Sequence, residues 1–485
     1  MDNYTDLSRF KARSEDTCRL FEIEEHAFRT NFQRDRDRIL YSTEFRRLSG
    51  KTQIFVTGSD DRMRTRLTHT LEVAQIAETI SERLQLNSML TKAIALGHDI
   101  GHTPFGHVGE RTLNYLMNGC FSYCGYDKKL CEKDKGFKHN LQGVRVACSL
   151  EKNLDDSLDK RIGLNLTRYT LWGIMNHSSL KYKNCEYCKN KKECRYKNCG
   201  KECQGILSVS YYDSLPYKPI DEKDWTLEGV IVAYADEIAQ RHHDIEDGVF
   251  AGIIDIGNLC DFLKSNFDFH TGFSDLQAIK DSLKKNNSKS EAIQKLSRII
   301  INAYVTEYCD NLAKVVNDNA NKLSLNTADN SWRATLCRYI KQQSISIIDY
   351  FSFSEEFKIA DKKLEKYLSH HILDSYIAQC MDGKASFIIK QLVKAYLTNP
   401  QQLPDNTIIA IINDWNNSHS VKPNGTLDYK TEASKSRERL KDLINDDDPI
   451  ISSIFMRRIC DHIAGMTDQY AMSSFEKLYG SKGYL

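Results

Sequence analysis

The chain has 485 residues, enough for about three domains on a ~150-residue prior, or for one large helical unit. Lys plus Arg (67) balance Asp plus Glu (66), which excludes binding of nucleic acid or membrane through bulk charge alone. The 41% hydrophobic content excludes wholesale disorder, and 24 Gly with 7 Pro are few breakers, which favours long amphipathic helices over a sandwich or barrel.

The N-terminus, MDNYTDLSRFKARSEDTCRL, carries no apolar run of signal-peptide kind, and residues 1–33 read as an extension. An Arg-rich helix opens the 34–58 segment, with Ile39, Leu40, Phe45 and Leu48 on one stripe. Helices are predicted over 66–86 and 88–98, ending near Gly97 before a loop with Gly101, Pro104 and Gly106. Two polar, Cys-rich stretches without periodicity, about 118–136 and 181–205, read as insertions. Helical patterning returns at 225–244, with a turn around Gly248. Residues 255–485 read as a helical C-terminal region with loops near 284–290, 326–331, 399–406 and 416–426, returning to the core at 455–475.

No run alternates as a strand does, so the expected fold class is mainly α, with a catalytic core over 34–254. The most apolar stretches, 229–235 and 408–412, fall far short of the ~20 residues that span a bilayer. A cytoplasmic protein without membrane contact is expected. Cys260, Cys309 and Cys337 stand singly in helical patterns and read as buried thiols.

His69, then His98-Asp99, then Asp236 form the strongest chemical signal. Two imidazoles and two carboxylates suit one divalent cation (Mn, Mg, Fe, Co or Zn) and leave coordination positions for water and substrate oxygens. Around them runs HDIGHTPFGHVGE, from His98 to Glu110. Its histidines, glycines and proline make a poor helix and a costly loop unless they serve a site. His107 and Glu110 are three apart, so on a helix they share a face, and a carboxylate there fixes an imidazole tautomer.

The segments RTRLTHTLEVAQIA, LGHDIGHTPFGHVGE, FKHNLQGVRV, GLNLTRYTL, ADEIAQRHHDIEDG and DHIAGMTDQYAM, in this order, resemble the HD-domain deoxynucleoside triphosphate triphosphohydrolases, bacterial dGTPases in particular. That resemblance reaches from about residue 34 to the C-terminus and implies an HD-type helical bundle. It implies that His69, His98, Asp99 and Asp236 bind the metal, and that His107, Glu110 and His139 are catalytic. It further implies that Arg66 meets phosphate, that Gln53 and Asp244 grip the sugar 3′-hydroxyl, and that His102, in the loop, has a supporting part in substrate binding. The implied reaction converts a dNTP, dGTP among the favoured substrates, to deoxynucleoside and tripolyphosphate, in a homo-oligomer that could be a hexamer. Where the family usually carries Tyr, four residues after Asp236, this chain has Gln240; Tyr234 or Tyr169 could compensate. An HD-domain 5′-nucleotidase or phosphodiesterase shares the four ligands, and a nucleotide or DNA sensor with a dormant site is the reading from another class.

Cys185, Cys188, Cys194, Cys199 and Cys203 lie within nineteen residues and open with C-x2-C, the pattern of a structural Zn site, with an iron–sulfur cluster as the alternative. Lys181, Lys183, Lys189, Lys191, Lys192, Arg195, Lys197 and Lys201 surround them, interleaved with Tyr182, Tyr187 and Tyr196. Such a run is usually a solvated face, but it also suits single-stranded DNA.

Overall fold

The computed structural model describes residues 5–53, 64–120, 135–151, 163–180, 223–284, 289–420, 429–444 and 449–480. Their regular structure is helical, as the composition predicts. Among them the extended pairings are two isolated bridges, Arg19 with Thr167 and Thr52 with Thr65.

Helix α1 (Asn31–Tyr41) starts in a capping box, where the Thr30 side chain accepts from Gln33 N and the Gln33 side chain accepts from Thr30 N. The single helix expected from residue 34 onward breaks at Ser42. Its hydroxyl caps α2 (Thr43–Arg47) through Phe45 N, so one predicted stripe becomes two short helices joined at a bend. Helix α3 (Arg66–Arg83) begins in a second capping box, Thr65 with Thr68, and α4 (Ser88–Gly97) is capped by Asn87.

Helix α4 is apolar nearly all round, which suits a helix buried on every side. It packs on α1, α3, α7 (Arg168–Asn176) and α8 (Leu227–Phe250). Gly97 permits the closest approach, because a Cβ there would meet Ile174 at 2.7 Å and Ile39 at 3.0 Å. The centre of this bundle therefore delivers His98 and Asp99 at the C-terminus of α4.

Helix α5 (Gly106–Met117) and α6 (His139–Arg145) bracket the first Cys-rich insertion. The second insertion, with Cys185, Cys188, Cys194, Cys199, Cys203 and its lysines, lies outside the described residues. The turn expected around Gly248 does not form; α8 continues to Phe250, because Gly248 lies against Ile254, 2.6 Å from where its Cβ would sit. The chain turns at 251–254 instead.

Helices α9 (Ile256–Asn266), α10 (Leu276–Lys284), α11 (Lys289–Lys322), α12 (Ser331–Gln342), α13 (Ile347–Tyr350) and α14 (Glu355–Ile372) extend the core that contains α3, α4 and α8. Arg241 of α8 pairs with Asp361 of α14 at 2.8 Å, and Tyr304 of α11 donates to the same carboxylate at 2.7 Å. Cys260, Cys309 and Cys337 are buried, as expected. A second core forms where α15 (Tyr376–Thr398), α16 (Asp405–Ser418), α17 (Tyr429–Ile444), α18 (Pro449–Ala464) and α19 (Asp468–Tyr479) gather around α5. Among the described residues no helix is long and apolar enough to cross a membrane.

Candidate metal centre and active site

Arg66 and His69 lie one turn apart at the start of α3. His69 is buried, with Nε2 2.9 Å from Asp236 Oδ1 on α8. His98 ends α4 and places Nδ1 2.6 Å from the Ala95 carbonyl. A carbonyl only accepts, so Nδ1 carries the proton and the Nε2 lone pair is left facing inward. That nitrogen is buried without a hydrogen-bond partner among the described residues, 3.5 Å from Asp99 Oδ1 and 3.8 Å from Asp236 Oδ1.

These residues fit a divalent cation. Two donors at about 2.1 Å from one ion sit about 3 Å apart at a right angle and about 3.4 Å apart at a tetrahedral one, near the separations present here. The negative end of the α4 dipole points at the same place, which favours positive charge. Burial by itself would raise the Asp99 carboxyl, but His102, Arg66, His98 and His69 outweigh it and hold Asp99 well below the usual carboxylate range. Asp236 is held low in the same way, against burial, by His69 and His98.

The loop after Asp99 folds tightly against α6. A Cβ on Gly101 would lie 2.1 Å from the His139 carbonyl oxygen and from Gly143 N, so only glycine lets the two segments touch. Phe105 adopts a left-handed φ of 59° to turn the chain into α5. His102 is buried, its Nε2 3.2 Å from Asp99 Oδ1, and its ring stacks on His139 with centroids 3.9 Å apart. Burial, with Arg66 and His139 adding to it, keeps the His102 imidazole far below its ordinary value and neutral.

Glu110 comes within 4.8 Å of both His102 and His107, and its carboxylate is seated on His139, accepting from the main-chain N at 3.2 Å and from ring Nδ1. Burial would raise Glu110, but His139 and Lys138 overcome it and keep it ionised. His139 Nε2 meets His177 Nε2 at 3.1 Å, and His177 Nδ1 is 2.7 Å from the Ile174 carbonyl. His139 thus has a hydrogen-bond partner at each ring nitrogen. His107 is exposed to solvent, at the start of α5.

Arg66 is buried and places Nη1 2.8 Å from Asp99 Oδ2. Its Nε and Nη2 are buried with no partner among the described residues. Gly106 keeps room for that fork, since a Cβ there would be 3.1 Å from Nη2. Gln53 likewise has a buried, unpartnered Oε1. Helix α8 is buried on nearly all sides; up to residue 244 its accessible positions are Asp236, Glu237, Gln240 and Asp244, a single stripe. Burial, reinforced by Asp247 and opposed by Arg241, pushes Asp244 up to about 7.

Neither aromatic expected to compensate for Gln240 faces this stripe. Tyr234 donates to the Ile348 carbonyl and stacks on Tyr308, while Tyr169 accepts from Arg333 within the core. Gln240 therefore stands on the open stripe without either of them.

Residues that the sequence reading left unassigned complete the surroundings. His177 follows an apolar helix and sits beside His139; Lys51 is fully buried and donates to the His102 and Ala464 carbonyls at 2.5 and 2.9 Å. Burial pulls Lys51 down to about 8, against the opposing charge of Glu44. Asp468 accepts from Thr52 N at 3.0 Å and from Phe105 N at 2.8 Å. The HHDIEDG string did carry one further signal, the histidine pair His242-His243, of which His243 reaches His69.

The HD domain family matches residues 66–241, and the phosphohydrolase-associated domain matches 351–419 and 450–477. The deoxyguanosinetriphosphate triphosphohydrolase-like protein of Geobacter metallireducens is 31% identical over 476 residues, covering 98% of this chain and 95% of the relative. The protein of the same name from Leptospira interrogans is 31% identical over 96% of this chain and 92% of its own length, and that from Thiobacillus denitrificans 31% over 93% and 91%. A metal-binding HD-domain hydrolase by its domains and its ligand geometry, the chain belongs to the family of deoxyguanosinetriphosphate triphosphohydrolase-like proteins.

Proposed function

We propose that this protein hydrolyses deoxynucleoside triphosphates, dGTP among the favoured ones, to deoxynucleoside and inorganic tripolyphosphate. The observation that carries the reading is the buried Arg66 fork: one nitrogen on Asp99 and two unpartnered among the described residues, beside a His98 Nε2 that is likewise unpartnered. An anion-ready donor pair next to a cation-ready cluster is what a phosphate ester needs.

His69, His98, Asp99 and Asp236 would hold one divalent cation (Mn, Mg, Fe or Co), which when bound polarises a phosphoryl oxygen and acidifies a water. Arg66 binds phosphate oxygens with the two N–H groups left free by Asp99. His107, open to solvent, takes a proton from the attacking water. Attack at the α-phosphorus breaks the bond to the sugar 5′-oxygen, and an alkoxide leaves poorly unless protonated. His139 is the donor for that oxygen, held by Glu110 and His177. Asp244 and Gln53 hold the sugar 3′-hydroxyl; a carboxyl near pKa 7 serves as donor or acceptor. The same reading carries a cytoplasmic homo-oligomer, with a Zn-held Cys-rich insertion whose lysines contact single-stranded DNA. Neutralising four of those lysines without loss of salt-sensitive DNA affinity would remove that last element.

Anion-exchange analysis of products from each dNTP and from GTP, with Mg or Mn and an Asp99→Ala control, tests the reaction. Tripolyphosphate and deoxynucleoside, absent in the control, are expected. Monophosphate with pyrophosphate, or free phosphate, would place the protein among other HD hydrolases, and absence of turnover would favour a sensor.

A further inference from the structure

A histidine that gives its Nε2 lone pair to a cation must carry its proton on Nδ1, and that N–H needs an acceptor. For His98 the acceptor is the Ala95 carbonyl. For His69 no carbonyl or carboxylate of the described residues stands at Nδ1; the group there is another imidazole, His243, with Nδ1 to Nδ1 at 3.1 Å and the rings 5.1 Å apart at 69°. Two imidazole nitrogens at that distance share one proton, not two. With the proton on His69, His243 accepts at Nδ1 and must carry its own proton on Nε2. That nitrogen is hydrogen-bonded to Glu72 Oε2, an acceptor. Each contact in the series then has one proton and one lone pair.

We infer that Glu72 and His243 are positioning residues, acting in series to hold His69 in the tautomer that ligates the cation. The inference rests on the reading of His69 as a ligand. Helix packing supplies the alignment. Glu72 is one turn beyond His69 on α3, and His243 is two turns beyond Asp236 on α8, so His69, Asp236 and the supports of His69 come from one pair of packed helices. His243 is fully buried. Arg64 lies 3.4 Å from the other oxygen of Glu72, Oε1, and is itself bound to Glu246 and Asp247, which leaves Oε2 to the imidazoles of α8, His243 and, at 2.9 Å, His242 Nε2.

Glu72, His242 and His243 also bring one donor atom each within 4.8 Å of one another, the outline of a second cation site. Proton accounting decides between the two arrangements. Were His243 Nε2 a ligand, its proton would move to Nδ1 and meet the proton on His69 Nδ1. The cationic Arg64 beside Glu72 further disfavours a second ion. A series that supports His69 and a second cation on His243 therefore exclude each other.

The test is Mn2+ binding to the full-length protein by equilibrium dialysis with metal analysis, on wild type, His69→Ala, His243→Ala, Glu72→Ala and Glu72→Gln, with circular dichroism as a check on folding. One high-affinity ion per chain is expected, weakened about 10–100-fold in His243→Ala and Glu72→Ala. Glu72→Gln keeps an acceptor oxygen and recovers part of the loss. Long-range 1H–15N NMR of 15N-histidine-labelled, metal-free wild type should show His243 protonated at Nε2, a readout that needs no variant to fold. A proton on His243 Nδ1, affinities within about twofold of wild type in both alanine variants, or a second ion lost on changing Glu72 would overturn the series while leaving the metal centre in place. Unchanged binding in His69→Ala would overturn the metal centre itself, and the series with it.

Discussion

The Asp468 carboxylate accepts the main-chain N–H of Phe105 at 2.8 Å, across 363 residues of chain. Phe105 holds the left-handed turn that sends the HDIGHTPFGH loop into α5, so the C-terminal region clamps the loop that carries His102 and His107. The same carboxylate receives Thr52 N and Oγ1, next to Gln53. Asp468→Ala leaves two buried main-chain donors unpaired, at a cost of roughly 2–4 kcal/mol. Urea unfolding should show that loss, activity should fall with it, and Asp468→Asn, which keeps an acceptor, should recover part of both. Unchanged stability in the alanine variant would show that Thr52 and Phe105 find other partners.

Arg66 uses one nitrogen on Asp99 and leaves two without a partner among the described residues, and the proposed function assigns these two to phosphate. Lysine at this position could keep the ion pair but not the fork. Steady-state kinetics of Arg66→Lys should give a kcat/KM about 10–100-fold below wild type for dNTP substrates, the worth of one or two hydrogen bonds to charge. A lysine variant as active as wild type would mean that phosphate is bound elsewhere.

Gln240 lies on the open stripe of α8 between Asp236 and Asp244, with no aromatic ring supplied by Tyr234 or Tyr169. A ring restored by Gln240→Tyr would pack on the sugar. The ratio of dNTP to rNTP turnover should rise about 3–10-fold, as a contact of this type is worth about 1 kcal/mol, while Mn2+ affinity stays constant. An unchanged ratio would take Gln240 out of sugar discrimination.

His462 of α18 sits against Tyr396, ring centroids 5.5 Å apart, and burial, with Arg47 adding to it, pulls its imidazole down to about 4. The folded value lies below the ~6.5 of an unfolded chain, so between these pH values the unfolded state takes up the proton more readily. The stability of the neutral form is complete above pH ~6.5 and drains as pH falls toward 4, by roughly 1–3 kcal/mol. Denaturant midpoints at pH 7 and pH 5 should therefore differ less in His462→Gln than in wild type. Parallel pH dependence in the two proteins would assign the acid lability to other groups.

Helical class and the two helices around His69 and His98 were legible in the sequence because each depends on local pattern. Capping residues, apolar spacing and a loop too rich in Gly, Pro and His for ordinary use all act over a few positions. Where tertiary contact overrode local preference, the reading slipped. Ser42 ends one predicted helix because its hydroxyl caps the next, and Gly248 stays helical because Ile254 packs where a side chain would be.

The sequence by itself determined which side chains could carry phosphate-ester chemistry: two imidazoles and two carboxylates suited to a cation, further histidines, and an arginine one turn from His69. Tertiary structure alone decided which of them meet. Glu110 closes on His139, His177 joins them from α7, and His243 of α8 stands behind His69 of α3, 174 residues away. Side-chain type fixes what a group can donate or accept, whereas hydrogen bonds are short and directional, so partners are assigned only when packed helices bring distant residues within about 3 Å.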